Sequence, residues 1–134
     1  AQLPPYRTGG KYNSAYIRDA QRKAEAKINN SAMAVLLDIG EENNIHPMHK
    51  EPVGTRLALL ALAQTYDLKG FGYASPAVES TQISGSVMTL KFKNAPNGLT
   101  SYGKELQQFE VAGANKQYYP AKASIQGSTV VVSS

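Results

Sequence analysis

The chain of 134 residues contains no cysteine and no tryptophan. Without thiols it can form neither disulfides nor thiolate metal sites, and the cysteine content leaves the redox compartment open. Its longest apolar run, residues 57–63, falls well short of the roughly 18 residues that a membrane span needs. The sequence therefore predicts a protein that does not cross a membrane.

The excess of positive charge is also small. The chain has 14 Lys and Arg residues against 10 Asp and Glu residues, and no basic block occurs. We therefore predict no nucleic-acid partner. The hydrophobic fraction of 42% and the charged fraction of 18% are typical of a globular protein. Because the sequence opens on Ala1 without a methionine and ends directly after a strand-like run, we expect it to be a piece of a longer protein.

The sequence is organised around residues 32–66. A short apolar run from Met33 to Leu37 predicts a strand, and it ends at Asp38. A polar loop with His46-Pro47 near its end follows, and a long apolar helix is predicted from about Pro52. A strand that feeds a loop and then a helix places polar groups at the carboxyl edge of a sheet.

Two helices are predicted in the first half of the chain. The first is capped by Asn13 or Ser14, and its apolar stripe recurs every four residues at Tyr16, Ala20, Ala24 and Ile28. Apolar residues wrap more than one face of the second helix, so we expect it to be mostly buried. Gly54 inside this helix is costly, and we expect it to permit close packing.

From residue 68 onward, short strand-like runs alternate with turn signals. The predicted strands are Val87 to Phe92, a run around residues 109–111, and runs over 119–125 and 128–133, with turns at Asn97-Gly98, residues 113–116 and Gln126-Gly127. The predicted fold class is therefore α+β, with helix, strand, loop and helix over residues 1–68 and an antiparallel β segment over residues 69–134.

His46 is the sharpest candidate for chemistry, because a loop histidine near carboxylates is what a serine esterase uses as its general base. The alternative is a loop histidine that caps the helix or bonds the backbone. His46 and His49 also have a spacing that could seat a metal, but a third ligand is missing, so we predict neither metal nor cofactor. No G-x-S-x-G elbow, Gly-Asp-Ser run, phosphate loop or dinucleotide fingerprint occurs.

The run DIGEENNIHPMHKEPVGTRLALLALAQTYD resembles the last conserved block of the sialate O-acetylesterases, which are SGNH (GDSL-like) serine hydrolases. Members carry a run close to D-[IL]-G-x-x-x-D-I-H-P-x-x-K-x-x-V-G-x-R-L-A-L. The lead-in over residues 2–6 and 18–21 and the tail over 109–113 and 119–123 also resemble this family. The positions that match the run are Asp38, Gly40, Ile45, His46, Pro47, Lys50, Val53, Gly54, Arg56, Leu57, Ala58 and Leu59.

The resemblance implies a secreted or periplasmic esterase that removes O-acetyl groups from sialic acids or related glycans. It implies that residues 1–68 close an SGNH-type α/β hydrolase layer, and that His46 is the catalytic base. The family's nucleophilic serine and oxyanion-hole residues belong to earlier blocks. The chain therefore resembles a C-terminal fragment that is inactive alone, has the missing N-terminal part as its partner, and can form a homo-oligomer to cover apolar surface.

One departure from the family concerns the group that orients His46. An Asp commonly lies three residues before the histidine or directly before the Ile-His pair, and here Asn43 and Asn44 occupy those positions. An Asn can orient an imidazole but cannot stabilise the imidazolium with charge. Either Asp38, Glu41 or Glu42 takes that role, or a Ser-His dyad does the chemistry.

A different class of function is a small β-type carbohydrate-binding or interaction module without catalysis. Tyr102, Phe109, Tyr118 and Tyr119 could stack on sugar rings. Against this, Phe109 and Tyr119 fit positions that face the core of a sheet.

Overall fold

The computed structural model describes residues 1–7, 9 and 13–134, which divide into two compact units, residues 1–74 and 75–134. The predicted division after residue 68 stays a prediction. The two helices come first and the antiparallel sheets follow, so the α+β class is confirmed. The elements are α1 (Ala15–Glu25), α2 (Glu51–Gln64), β1 (Ala77–Ser84), β2 (Val87–Lys93), β3 (Glu110–Ala112), β4 (Tyr118–Pro120), β5 (Lys122–Gln126) and β6 (Thr129–Ser133).

Two extended segments, residues 2–7 and 32–37, lie side by side in the first unit. The N–H of Gln2 donates to the carbonyl of Ala34 at 2.9 Å, and further along the N–H of Arg7 donates to the carbonyl of Glu42 at 2.7 Å. The residue numbers of both bonding partners rise from the first bond to the second, so the two stretches run in the same direction. The second extended segment leads through the loop over residues 38–50 into α2.

The predicted strand from Met33 to Leu37 does not form a strand ladder. Its side chains alternate as a strand's would, with Ala34 and Leu36 buried and Leu37 56% exposed. A ladder needs a neighbouring strand to supply backbone partners. In the described part of the chain, the bond to Gln2 is the one backbone–backbone bond that this stretch makes to another segment.

Helix α2 packs one face against the extended segment, in a cluster of buried side chains from Ala34, Leu36, Ile39 and Leu60. The prediction of a mostly buried helix is wrong, because only Leu60 and Ala63 are buried in it. Val53 is half-buried against the cluster, whereas Leu57 and Leu62 are 42% and 36% exposed. The expectation of close packing at Gly54 is also wrong. A Cβ built there meets no atom within 4 Å.

Helix α1 is attached through its polar side rather than its apolar stripe. The side chain of Gln21 accepts the N–H of Leu3 at 2.9 Å, and the carboxylate of Glu25 accepts the N–H of Met33 at 2.9 Å. Tyr16, at the start of the predicted stripe, is 79% exposed.

The ends of α1 follow local signals. Of the two predicted capping residues, Asn13 makes the contact, because its Oδ1 accepts the N–H of Ala15 at 2.9 Å and Ser14 makes no side-chain cap bond. The helix ends at Glu25, so Ile28 lies beyond it.

The second unit is built on a four-stranded antiparallel sheet in the order β1-β2-β6-β5, with β3 and β4 as a separate pair. Val130 and Val132 of β6 are buried, and they pair with Leu90 and Met88 on β2. The predicted run over residues 119–125 is broken at Ala121, whose N–H bonds the carbonyl of Phe109 at 2.8 Å.

The predicted turns of this unit are confirmed. The N–H of Gly98 bonds the carbonyl of Ala95 at 3.0 Å, and the N–H of Lys116 bonds that of Gly113 at 3.0 Å. Gly127, between β5 and β6, adopts a φ of 60°, which glycine reaches without steric cost. Within the described ranges, no helix is long and apolar enough to cross a membrane.

Candidate functional site

The polar loop over residues 38–50 carries His46 between the second extended segment and α2. His46 is exposed, whereas Pro47 beside it is buried. The N–H of His46 donates to the side-chain oxygen of Asn44 at 2.8 Å. The imidazole makes no hydrogen bond to any described residue, and the N-cap of α2 is Lys50. His46 therefore does not cap the helix, and its ring faces solvent.

The base of the loop is joined to α2 by Arg56. Its guanidinium bonds both carboxylate oxygens of Asp38, at 2.7 and 2.6 Å, and also donates to the carbonyl of Val35 at 2.6 Å. Because these bonds favour the charged carboxylate, Arg56 holds the pKa of Asp38 below its usual value. Asp38 thus faces α2 rather than His46.

The outer side of the loop contacts the first extended segment. The backbone N–H of Arg7 bonds the carbonyl of Glu42, and the Arg7 guanidinium forms an ion pair with the Glu42 carboxylate. Beside this pair the loop backbone approaches Pro5 so closely that a Cβ at Gly40 would overlap the Pro5 carbonyl oxygen. Only a glycine fits at this position without a shift of the backbone.

The inner side of the loop is closed by Glu41. One carboxylate oxygen accepts the N–H of Met48 at 2.5 Å, and the other faces the side-chain amide of Asn44 at 3.5 Å. The carboxylates of Asp38, Glu41 and Glu42 therefore all have partners other than the His46 ring. In the described residues none of the three carboxylates bonds the imidazole ring itself.

The second histidine of the loop, His49, is exposed like His46. Across residues 1–7, 9 and 13–134, no group of three or more His, Asp or Glu side chains is close enough together to hold a metal ion. In these residues, no third possible metal ligand joins His46 and His49.

A groove of about 650 Å³ lies beside the loop's outer contact. Tyr6 and Arg7 of the first extended segment and Tyr16 and Ile17 of α1 line it. Arg7 thus borders both the groove and the loop that carries His46.

The tyrosines of the second unit do not form one platform. Tyr118 and Tyr119 are 67% and 53% exposed, so the expectation that Tyr119 faces a core is wrong, while Phe109 is half-buried. Successive residues of a strand point to opposite faces, so the two rings of β4 cannot stack on the same sugar chain. Tyr102 is 89% exposed.

The known proteins that resemble the chain are found among solved structures. No protein-family model matches the chain, and no curated protein matches it. Among solved structures, the chain is similar to a novel carbohydrate acetylesterase from Xanthomonas citri, with 32% sequence identity and a TM-score of 0.88. The match covers 99% of this chain and 32% of that one. The chain resembles one third of a carbohydrate acetylesterase.

The similarity extends over both units of the chain. It confirms the predicted likeness to a carbohydrate esterase and the fold as a portion of such an enzyme. Sequence reasoning predicted the loop and named Glu41 only as one of three possible partners of the imidazole, and the role of His46 stays a prediction. It missed the contact of Arg7 with Glu42 and that of Glu41 with Met48, because these contacts appear only when the loop is folded.

Proposed function

We propose that the chain is the C-terminal part of an enzyme that hydrolyses O-acetyl esters of sialic acid or related glycans, with His46 as the catalytic base. The observation that carries this proposal is 32% identity to a carbohydrate acetylesterase over 99% of the chain. The run from Asp38 to Pro47 supports it, because it matches the last block of the sialate O-acetylesterases at most of the positions that define that block.

In this reaction His46 accepts the proton of a serine hydroxyl as the serine attacks the acetyl carbonyl. The protonated His46 gives that proton to the sugar oxygen as the C–O bond breaks, so the sugar leaves as an alcohol and an acetyl-serine remains. His46 then takes a proton from the water that attacks the acetyl-serine and returns it to the serine oxygen as acetate is released. The serine belongs to the remaining part of the esterase. The exposed imidazole of His46 is available to such a serine, and the carboxylates around it are engaged elsewhere. A Ser-His dyad is therefore the arrangement that we propose.

The remaining part of the esterase is also the partner that we propose for the exposed apolar side chains of the first unit. Tyr16 and Ile17 on α1 and Leu57 and Leu62 on α2 are 36% to 79% exposed. A second copy of the chain covers such residues when that part is missing. By its resemblance to secreted and periplasmic esterases, the enzyme acts outside the cytoplasm.

The test is acetate release from an O-acetylated sialic acid. It compares the longer esterase with its His46→Ala variant, and uses His49→Ala as the matched control because His49 is an exposed histidine of the same loop. Loss of the base lowers kcat by at least about 10³-fold, whereas His49→Ala leaves it unchanged. The 134-residue chain alone releases no acetate.

Two results would change this proposal. Full activity of His46→Ala would remove the histidine from catalysis. Acetate release from other O-acetylated sugars, but not from sialic acid, would keep the esterase and replace the substrate.

A carbohydrate-binding module without catalysis is the second candidate, and the exposure of Tyr118 favours it. Binding of the 134-residue chain to a glycan panel, lost in Tyr118→Ala and retained in Tyr102→Ala, would support this function. A chain that binds no glycan on the panel would exclude it.

A further inference from the structure

Glu41 holds the chain on both sides of His46. Its carboxylate accepts the N–H of Met48, two residues after the histidine, at 2.5 Å. It also faces the side-chain amide of Asn44, two residues before the histidine, at 3.5 Å. The oxygen of that same Asn44 side chain accepts the N–H of His46 at 2.8 Å. One carboxylate therefore connects to both flanks of the histidine.

The backbone of the loop closes around the same residue. The N–H of Asn44 bonds the carbonyl of Glu41 at 3.4 Å, and the two residues form an isolated antiparallel bridge. Glu41 and Asn44 are half-buried, and Pro47 is buried, whereas His46 between them is exposed. Buried or half-buried residues thus fix the backbone on either side of His46, while the imidazole is exposed to solvent.

The neighbouring acids do not share this position. Asp38 is bound by Arg56 and points to α2, and Glu42 is paired with Arg7 at the outer side of the loop. Of the carboxylates that were candidates for orienting His46, Glu41 alone reaches the flanks of the histidine, and it reaches the backbone rather than the ring.

We infer that Glu41 is a positioning residue, which sets the place of the His46 imidazole by fixing the backbone on both sides of it. This inference rests on the proposed role of His46 as catalytic base. Hydrogen bonds with an ionised acceptor are roughly twice as strong as neutral ones. A misplacement of about 1 Å in a reacting group can cost about 10²-fold in rate.

The first measurement is amide hydrogen exchange of residues 44–48 in the longer esterase. Glu41→Ala removes both contacts, and the Met48 amide exchanges about tenfold faster. Glu51→Gln is the matched control, because Glu51 is an exposed glutamate in the first turn of α2 with no side-chain bond to the loop. Unchanged exchange at Met48 in Glu41→Ala would overturn the inference.

The second measurement is the kinetics of acetate release by the same variants. Glu41→Ala lowers kcat by about 10²-fold with little change in KM. Glu41→Gln keeps an oxygen for the Met48 N–H and recovers part of this loss. Because Glu41 does not touch the ring, the pH at which kcat/KM is half-maximal stays the same in Glu41→Gln. A shifted pH profile would mean that Glu41 acts on the imidazole, and would overturn the inference.

His46→Ala, measured in parallel, separates the two proposals. Faster Met48 exchange in Glu41→Ala with an unchanged kcat, beside an inactive His46→Ala, would overturn the positioning role and leave the proposed function standing. An active His46→Ala would overturn the proposed function itself.

Discussion

The two units of the chain satisfy their backbone polar groups in different ways. In residues 75–134, strands bond to strands, and β6 is paired along both of its edges. In residues 1–74, outside the helices, side chains bond several of the backbone polar groups. Gln21, Glu25 and Glu41 accept backbone N–H groups, and Arg56 donates to the carbonyl of Val35.

This difference determines how each unit responds to substitution. A ladder of backbone bonds survives the loss of a side chain, because the bonds do not depend on the side chain's identity. A backbone group bonded by a side chain loses its partner when that residue changes, and an unpaired polar group costs about 1–3 kcal/mol when buried. The stability of the first unit should therefore depend on single side chains that bond the backbone. That of the second should depend mainly on its few buried valines.

The largest expected effect is at Gly40. A methyl group in Gly40→Ala would overlap the Pro5 carbonyl, which is backbone and cannot rotate away. We expect a loss of about 3 kcal/mol in the free energy of unfolding. Gly54→Ala is the matched control, because its methyl meets no atom within 4 Å and should stabilise α2 by about 1 kcal/mol. Urea unfolding monitored by circular dichroism checks both, and equal effects at the two glycines would contradict the Pro5 contact.

Hydrogen exchange compares the two units directly. Amides of Val130 and Val132 lie in a strand paired on both sides. The amides of Val35 and Leu36 have no backbone partner in the described chain, although Leu36 is buried. We expect the β6 amides to exchange at least about 10²-fold more slowly. Equal protection would show that side-chain burial, not the ladder, controls exchange.

The core of the second unit is tested by Val132→Ala. Val132 is 3% exposed, and its truncation should cost about 2 kcal/mol. Val131→Ala removes the same atoms from the opposite face of the same strand, where the side chain is only partly buried, so it should cost less. Thermal unfolding of the two variants measures the difference. A larger loss at Val131 would reverse our assignment of the buried face.

The smallest expected effect concerns pH. Arg56 lowers the pKa of Asp38 in the folded chain, so the unfolded chain binds the proton more readily. The pair therefore stabilises the fold above the ordinary carboxyl pKa of about 4, and this stability is lost as the pH falls through the lowered value. Because the Asp38 side chain is 65% exposed, this contribution is below about 1 kcal/mol.

Arg56→Met should flatten the dependence of unfolding free energy on pH in this acid range. Lys91→Met tests the equivalent pair in the second unit, where Lys91 lowers the pKa of Glu79. Its effect should be smaller, because Lys91 contacts one oxygen of Glu79 whereas Arg56 bonds both oxygens of Asp38. An unchanged pH slope in Arg56→Met would show that Asp38 is not stabilised by this pair.

Elements with local signals could be predicted from the sequence. Helix α2 starts at Glu51, next to the predicted Pro52, and the turns at Gly98 and Gly127 lie where their sequences place them. A proline near a helix start and a glycine in a turn act through their own backbone. Their neighbours in space are not needed for the prediction.

Features that depend on distant partners could not be predicted. The strand-like run before Asp38 lacks a ladder. Strand β1 was missed because its residues are nearly all exposed, so its sequence does not alternate between apolar and polar residues as that of a half-buried strand does. Gly85-Ser86 between β1 and β2 was the available signal, since two residues with glycine first suit a hairpin loop. The site follows the same rule. The motif pointed to His46, but it could not show that Glu42 pairs with Arg7, which lies 35 residues earlier in the chain.

The contact between Arg7 and Glu42 has a consequence for the order of folding. Glu41 reaches Asn44 and Met48 across three and seven residues, whereas Arg7 must close a loop of 35 residues to reach Glu42. Closing a longer loop costs more chain entropy and takes longer. We expect the tip around His46 to take its shape before the outer contact forms. Pulse-labelled exchange during refolding would show Met48 protected before Arg7, and the reverse order would exclude this sequence of events.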